Sequence, residues 1–185
     1  MILYPTETVY ALGLGVFDNI EITKLFALKN RSADKSVSWL VRSLADITEY
    51  AELSHIAEKI AERFLPGPLT LVLPAKATVP KMYIGEDQTI GFRISSDRYA
   101  QEIISDFMKE YGMPLTCTSA NVSGLPTLST SAEILNQFGS KQSLIDTVYD
   151  GGVRIGVPST IVQVMDNHIT VLREGSISKS TILNF

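Results

Sequence analysis

Four short segments of the sequence concentrate polar, basic and glycine residues where the hydrophobic pattern breaks. They are residues 4–10 (YPTETVY), 29–31 (KNR), 119–124 (SANVSG) and 158–160 (PST). A compact lysine charge, a forked arginine donor and the backbone amides of small residues together neutralise and cradle phosphate oxygens. The basic pair also follows a predicted helix, whose dipole favours cations, and residues 119–124 are equally typical of a turn. Each segment alone therefore leaves a purely structural interpretation open.

Two further cations stand in or at the end of predicted strands. Arg93 lies within residues 89–94, and Arg173 directly follows residues 169–172. An arginine that points into a fold requires an anionic partner, because burying an unpaired charge is unfavourable, and a substrate carboxylate would be such a partner. The alternative is an arginine that faces solvent at the end of its strand. The pattern leaves both interpretations open for both residues.

Nucleophilic and metal-dependent catalysis have little support in the sequence. Cys117 lies in an apolar strand without a histidine nearby, and His55 lies on the predicted outer face of a helix, so both are interpreted as structural. One cysteine and two histidines disfavour a Cys/His metal site, and none is assigned. Glu7, Glu86 and Asp87 could bind magnesium through ATP, but acids in turns are usually solvated, and none is assigned that function.

Composition limits the class of protein. The chain has 185 residues, 45% of them hydrophobic, which suits one globular domain, and a formal net charge of -4, so nucleic acid would require a local basic patch. Neither an apolar stretch long enough to span a bilayer nor a signal-peptide pattern occurs, which predicts a cytoplasmic protein. The Gly-x-x-x-x-Gly-Lys-Ser/Thr and Gly-x-Gly-x-x-Gly loops do not occur either, so a bound nucleotide must be held in another way.

Hydrophobic periodicity predicts the elements that must position these residues. Helices are expected from a cap at Asp18 or Asn19 to about residue 30, between Leu53 and Phe64, and from a cap at Asp97 to Tyr111. Strands are expected at residues 1–4, 36–41, 69–73, 89–94, 115–118, 145–149, 160–164 and 169–172, the last two as a hairpin. Alternating strands and helices predict an α/β fold, a twisted mixed sheet with packed helices, whose site lies in a cleft at strand ends.

Taken in order, the motifs resemble those of the YrdC-like family of threonylcarbamoyl-AMP synthases. The series is completed by PGPLT at 66–70, GFRI at 91–94, PSTIV at 158–162 and REG at 173–175, and it spans nearly the whole chain. The resemblance implies a twisted mixed α/β sheet around a large concave cavity lined by positive charge. It also implies a nucleotidyltransferase that converts L-threonine, bicarbonate or CO2, and ATP into threonylcarbamoyl-AMP and pyrophosphate, for N6-threonylcarbamoyladenosine modification of tRNA.

The resemblance also implies site residues, motif by motif. It places around ATP the residues Lys29, Arg31, Ala33, Thr89, Ser119, Asn121, Ser123, Thr127 and Arg173. Lys29 and Arg31 are the implied catalytic cations, and any Mg2+ is carried by ATP. Around threonine it places Thr6, Ser38, Arg93, Cys117 and Ser159, with Arg93 pairing the carboxylate. A threonine carbamate would then attack the α-phosphorus of ATP, a reaction that depends on positioning and charge and needs no protein nucleophile.

The chain departs from the family pattern at several points. Ala11, Ser32 and Ser95 stand where the family usually has glycine, proline and proline. Family members generally have an amphipathic helix ahead of the first motif, and we expect residues 1–185 to be a single domain without that helix, with a less covered sheet edge. No sequence follows for an appended domain, so the short form of the family is expected.

Three other functions stay open for this sequence. They are an RNA-binding protein of this fold, a nucleotide-sensing relative without synthase activity, and a transferase that handles carbamoyl-AMP. The acidic composition and few exposed aromatic residues count against RNA as the main ligand, although weak RNA binding is compatible with the resemblance. Under the synthase interpretation, the product passes to a tRNA threonylcarbamoyl-transferase complex, and a membrane has no part in the reaction.

Overall fold

Ten short strands and six helices alternate along the chain in a computed structural model that describes residues 1–32, 36–85 and 87–185. The strands are β1 Ile2–Tyr4, β2 Ala11–Gly13, β3 Trp39–Leu40, β4 Leu69–Pro74, β5 Thr89–Arg93, β6 Leu115–Thr116, β7 Thr118–Ser119, β8 Thr147–Val148, β9 Thr160–Met165 and β10 His168–Arg173. The helices are α1 Asn19–Lys29, α2 Leu44–Tyr50, α3 His55–Phe64, α4 Arg98–Tyr111, α5 Ser131–Phe138 and α6 Lys179–Leu183. Two 3-10 helices, Lys81–Tyr83 and Gly139–Leu144, complete the secondary structure of the described residues.

The strands form two mixed sheets. A four-stranded sheet has the order β7-β2-β1-β8, and a six-stranded sheet has the order β10-β9-β4-β5-β3-β6. In the larger sheet β9 and β4 are parallel, β4 and β5 antiparallel, and β5 and β3 parallel. The expected α/β class with a mixed sheet and packed helices is confirmed, although the strands divide between two sheets.

The chain passes from one sheet to the other at Cys117. The predicted strand at 115–118 is wrong as a single strand, because β6 pairs with β3 in the larger sheet whereas β7 pairs with β2 in the smaller one. The Cys117 backbone N–H, between the two strands, donates to the Ser38 carbonyl at 2.6 Å. This hydrogen bond ties the crossing point to the segment that leads into β3.

Alternation along β4 separates the core from the concave side of the sheet. Leu69, Leu71 and Leu73 are fully buried in the core cluster. Thr70 and Val72 point to the opposite face, as period-two geometry requires, and both line a cavity. The sheet therefore presents polar and small side chains on one side and packs its apolar side against the core.

The longer helices match the sequence prediction, and the shorter ones were missed. Asp18 caps α1 and Asp97 caps α4, each accepting hydrogen bonds from backbone amides of the first turn, as expected. Helices α2 and α5 begin with capping boxes, Ser43 with Asp46 and Thr130 with Glu133, which are readable in the sequence. β2 is absent from the predicted strands, because three residues are too few to show alternation. No helix of the described residues is both long enough and apolar enough to cross a bilayer.

Candidate functional site

A cavity of about 750 Å³ is lined by residues of both sheets. This volume lies within the range usual for small-molecule sites. Its walls include Thr6, Thr8, Arg31, Ser36, Ser38, Thr70, Val72, Asp87, Thr89, Gly91, Arg93, Cys117, Thr118, Ser119, Ser159, Ile161, Leu172 and Arg173. The expected concave cavity lined by positive charge is present: three arginines line it, and Asp87 is the single acid among the described lining residues.

Strand β5 presents three residues to the cavity by simple alternation. Thr89, Gly91 and Arg93 line it, whereas Ile90 and Phe92 are fully buried in the core. A Cβ at Gly91 would lie 2.8 Å from the Ser38 Oγ, so a side chain there would displace that hydroxyl. The glycine thus keeps the floor of the cavity open between the threonine and the arginine.

Arg93 is buried and paired with an acid of the first motif. Its guanidinium Nη2 donates to Glu7 Oε1, and the Ser95 hydroxyl donates to Glu7 Oε2. The side chains of Arg93 and Glu7 are 5% and 15% exposed. The solvent-facing interpretation of Arg93 is therefore wrong, and so is the interpretation of Glu7 as a solvated acid. The anionic partner that Arg93 requires is present within the protein.

Arg173 lies beside Arg93 and is braced by backbone. Its Nε and Nη2 donate to the Ser159 carbonyl at 3.2 and 2.7 Å, and the Ser159 hydroxyl shares a 2.8 Å hydrogen bond with Thr70. Partial burial and the neighbouring Arg93 charge lower the pKa of Arg173. Two guanidinium groups lie near each other here, and among the described residues only that of Arg93 forms an ion pair with a carboxylate, so this end of the cavity attracts anions.

A second, smaller cleft of about 300 Å³ adjoins the first, and Arg31 and Ser119 line both. It forms where α1 ends: Asn30 caps the helix with φ of 50°, a left-handed conformation that asparagine tolerates well. The cap turns the chain sharply, so that Lys29 and Arg31 both reach the same cleft. The facing wall is the segment 119–125, of which Ser119, Asn121, Ser123 and Gly124 line the cleft.

Lys29 is buried and held by three oxygen atoms of this facing wall. Its ammonium donates to the Ser119 carbonyl, to the Asn121 carbonyl at 2.9 Å and to Asn121 Oδ1 at 3.4 Å. Burial, together with the charge of Arg31, lowers the pKa of Lys29 to about 7. An ammonium has three donors, so all of them are engaged within the protein in this state. Lys29 therefore fixes the shape of the wall and also places a positive charge beside it.

The wall itself is a closed hydrogen-bond network around Asn121. Its Oδ1 accepts from the Ser119 hydroxyl at 2.6 Å, and its Nδ2 donates to the carbonyls of Val122 and Leu125. The Ser123 backbone amide donates to the Lys29 carbonyl at 2.8 Å. The asparagine consequently fixes the shape of residues 119–125, which predicts a preorganised wall rather than one that forms on binding.

Arg31 spans the two cavities. One guanidinium nitrogen donates to the Ser36 carbonyl at 2.7 Å, and the other lies 3.4 Å from the Thr118 hydroxyl. The side chain is held at both ends while it lines both cavities. A ligand that extends from the small cleft into the large cavity would pass along it.

The first motif is folded on itself and covered by a later segment. The Thr6 hydroxyl donates to the Val9 carbonyl at 2.6 Å and accepts from the Thr8 and Val9 amides, so its hydrogen bonds serve the turn. The extended segment 150–158 crosses this turn so closely that a side chain at Gly156 would collide with the Thr8 carbonyl. Arg154 fixes the segment through a 3.0 Å ion pair with Asp97.

Most of the residues implied by the resemblance come together in these two cavities. The larger one is lined by Thr6, Arg31, Ser38, Thr89, Arg93, Cys117, Ser119, Ser159 and Arg173, and the smaller one by Lys29, Arg31, Ser119, Asn121 and Ser123. Thr127 lines neither cavity. Ala33 lies outside the described residues. The binding roles of all these residues stay predictions.

Sequence reasoning missed several lining residues that alternation would have found. Thr70 stands between leucines that point to the core, so a period-two pattern along β4 places it on the cavity side. Glu7 has no comparable local signal, because its partner is 86 residues away in sequence.

Among the described residues, no group of three or more His, Cys, Asp or Glu side chains is arranged to hold a metal ion. Both oxygens of Asp87 accept hydrogen bonds, from Thr89 and Gln163.

Comparison with known proteins finds relatives along nearly the whole chain. A family model described as "Telomere recombination", which covers Sua5, YciO and YrdC proteins, matches residues 1–175. A threonylcarbamoyl-AMP synthase of Pyrococcus abyssi is 34% identical over 179 residues, which cover 96% of this chain and 51% of that protein. A threonylcarbamoyl-AMP synthase of Vibrio vulnificus is 33% identical over 148 residues, 78% of this chain and 77% of that protein.

Solved structures give the same result for the fold. Pyrococcus abyssi Sua5 complexed with L-threonine superimposes with a TM-score of 0.82 at 34% identity, covering 94% of this chain and 50% of the Sua5 chain. The chain therefore spans about half the length of the Pyrococcus relative. The likeness over that half confirms the fold expected from the sequence.

Proposed function

We propose, from the premise that this chain belongs to the Sua5/YciO/YrdC family, that it is an L-threonylcarbamoyl-AMP synthase. The reaction would consume L-threonine, bicarbonate or CO2, and ATP, and release pyrophosphate. One observation carries the proposal: Arg31, Arg93 and Arg173, from three separate elements, converge on one cavity of about 750 Å³ with a single acid in its described lining. Such a cavity suits a substrate pair with several negative charges.

The Arg93 end of the cavity is proposed to bind threonine. Ser38, Cys117 and Ser159 line the cavity with Arg93, and they supply the small polar groups that a hydroxyl-bearing amino acid requires. Arg93 would donate to the threonine carboxylate. The Pyrococcus abyssi Sua5 protein was solved in complex with L-threonine, and its similarity to this chain supports the same ligand here.

The Lys29 cleft and the adjoining wall are proposed to hold the ATP phosphates. Arg31 links the small cleft to the large cavity, so a triphosphate lying along it would approach Arg173 and Thr89 at the far side. Lys29, which lines the cleft, would supply positive charge while holding Ser119 and Asn121 in place. Ser123 would act at the rim of the cleft.

The proposed chemistry depends on positioning and charge. The neutral amine of threonine adds to CO2 and loses a proton, giving a carbamate; one carbamate oxygen then attacks the α-phosphorus of ATP, and the bond to the pyrophosphate oxygen breaks. The arginines would stabilise the negative charge that develops on the phosphoryl oxygens. Any Mg2+ would arrive with ATP, since the described residues include no group of three or more His, Cys, Asp or Glu side chains arranged to hold a metal ion.

The product would be passed on to another enzyme. Threonylcarbamoyl-AMP is a mixed anhydride, so an acceptor must be near, and we propose a tRNA threonylcarbamoyl-transferase complex in the cytoplasm as that acceptor. Weak RNA binding by this chain would assist the transfer.

The decisive experiment measures pyrophosphate release by the purified chain. L-threonine and bicarbonate are each supplied or omitted, serine replaces threonine as the control, and mass spectrometry identifies the adenylate. Release that requires both substrates is the expected result. ATP binding without pyrophosphate release would contradict synthase activity and would favour a nucleotide-sensing function, whereas release with carbamoyl phosphate but without threonine would favour a carbamoyl-AMP transferase.

A further inference from the structure

We infer that Glu7 is a positioning residue that holds the Arg93 guanidinium in the orientation in which it binds the carboxylate of the amino-acid substrate. This role rests on the proposed function and belongs to a residue outside the implied site set. Glu7 does not line the cavity itself. It lies behind Arg93 and would act only through it.

The geometry at Glu7 is that of a two-point clamp. One carboxylate oxygen accepts from Arg93 Nη2 and the other from the Ser95 hydroxyl. Ser95 is itself fully buried, and its Oγ also accepts from the Asp97 backbone amide at 3.2 Å. The carboxylate is therefore anchored to the start of α4 by one oxygen, while the other oxygen sets the position of the guanidinium.

Burial makes the clamp a fixed part of the site. The side chains of Glu7 and Arg93 are 15% and 5% exposed, and a substrate carboxylate that displaced Glu7 would leave a buried charge without its partner. Removing one member of a buried charge pair is strongly unfavourable. Glu7 therefore stays in contact with Arg93 when a ligand binds, and the ligand must use other donors of the guanidinium.

Arg93 retains donors for that purpose. A guanidinium has five N–H donors, and the contact with Glu7 engages one edge at Nη2. The buried Arg93 Nε has no hydrogen-bond partner among the described residues. Because this Nε is shielded from solvent, a ligand carboxylate in the cavity would use the remaining N–H donors of the two Nη atoms.

Steady-state kinetics with three variants test the role. Glu7→Ala removes the clamp, and we expect the KM for L-threonine to rise about tenfold or more, with kcat and the KM for ATP changed less than about threefold. Glu7→Gln keeps one oxygen that accepts from Arg93 but loses the negative charge and the second acceptor, so its KM should lie between those of the wild type and Glu7→Ala. Ser95→Ala removes one anchor and should raise the KM about threefold to tenfold.

A matched control is available on the surface. Glu102 pairs with Arg98 on α4, where the side chains are 56% and 88% exposed, so Glu102→Gln breaks an arginine–glutamate pair far from burial. That variant should leave every kinetic constant unchanged. A KM for threonine that is unaffected by Glu7→Ala, or affected equally by Glu7→Gln, would overturn the inference.

Two measurements keep the test decisive. If Glu7→Ala does not fold, the Ser95→Ala result decides in its place, and an unchanged KM there overturns the inference. Arginine side-chain nitrogen NMR follows Arg93 without turnover: the wild type and Glu7→Gln should show a slowly exchanging, restrained guanidinium, and Ser95→Ala a mobile one. Absence of threonine-dependent pyrophosphate release in the wild type would refute the proposed function alone, whereas an Arg93 signal indifferent to the clamp would refute the role of Glu7.

Discussion

The site has two cationic regions, around Arg93 in the large cavity and around Lys29 in the small cleft, and the protein holds their charges in different ways. Arg93 is paired with a carboxylate of the protein, whereas the Lys29 ammonium donates, among the described residues, to carbonyl and amide oxygens. Burial and a neighbouring arginine lower the pKa of Lys29 to about 7, because dipoles alone compensate a buried ammonium poorly. The balanced end is thus the surroundings of Arg93, whose guanidinium is paired with a carboxylate and geometrically fixed before a ligand arrives. The unbalanced end is the surroundings of Lys29, where the described residues place no anion on the ammonium and a triphosphate would supply one.

The largest effect is expected at the balanced end. Arg93→Ala would leave the buried Glu7 carboxylate unpaired and remove the donor to the substrate carboxylate, so the KM for threonine should rise about a hundredfold or more. The KM for ATP should change far less. Initial rates of pyrophosphate release at varied threonine and varied ATP check this difference, and an equal rise in both constants would remove the distinction between the two ends.

A smaller effect, on the KM for ATP instead of threonine, is expected at the unbalanced end. Lys29→Met removes the charge and three hydrogen bonds to the 119–125 wall, so the KM for ATP should rise about tenfold to a hundredfold while the KM for threonine stays nearly constant. The same rate measurements apply. Thermal unfolding of the variant shows whether the wall also loses stability.

The pH dependence should likewise come from the lysine end. In the folded state the pKa of Lys29 is about 7, below the ordinary lysine value. Between these two pKa values the unfolded chain binds more protons than the folded protein, so the contribution of Lys29 to stability rises with pH there. A bound triphosphate favours the charged form. ATP binding near pH 8 should therefore take up a proton, and ATP affinity should fall as the pH rises.

Calorimetry in two buffers of different ionisation enthalpy measures that uptake. Lys29→Arg is the control, since arginine stays charged and should bind ATP without the additional proton. Uptake that is identical in the wild type and the variant would assign the proton to ATP itself.

The smallest effect is expected from the hydrogen bond between Thr70 and Ser159, the residue that Arg173 contacts. Thr70→Val keeps the shape of the side chain but removes the 2.8 Å hydrogen bond to Ser159, which in turn positions Arg173. A loss of about threefold to tenfold in kcat/KM is expected, matching about 1 kcal/mol for one neutral hydrogen bond. An unchanged value would show that the Ser159 backbone alone holds Arg173.

Local patterns were enough to predict the long elements, including the helix caps at Asp18 and Asp97. Most of the residues that line the two cavities were implied by the resemblance of the ordered motifs to a family, and not by local pattern. What could not be predicted depends on partners distant in sequence. The Glu7–Arg93 pair joins residues 86 positions apart, and the division into two sheets depends on one residue, Cys117, at which pairing changes from β3 to β2.

Cys117 also gives the molecule one position that thiol reagents can label. Cys117 is the one cysteine of the chain, and its thiol lies on the cavity wall where burial raises its pKa. Thiol reagents should consequently label a single position, slowly at neutral pH and faster in alkali. Threonine bound in the cavity would slow the labelling further, so occupancy of the amino-acid end could be followed as a reaction rate in the unmodified sequence, without installing a probe.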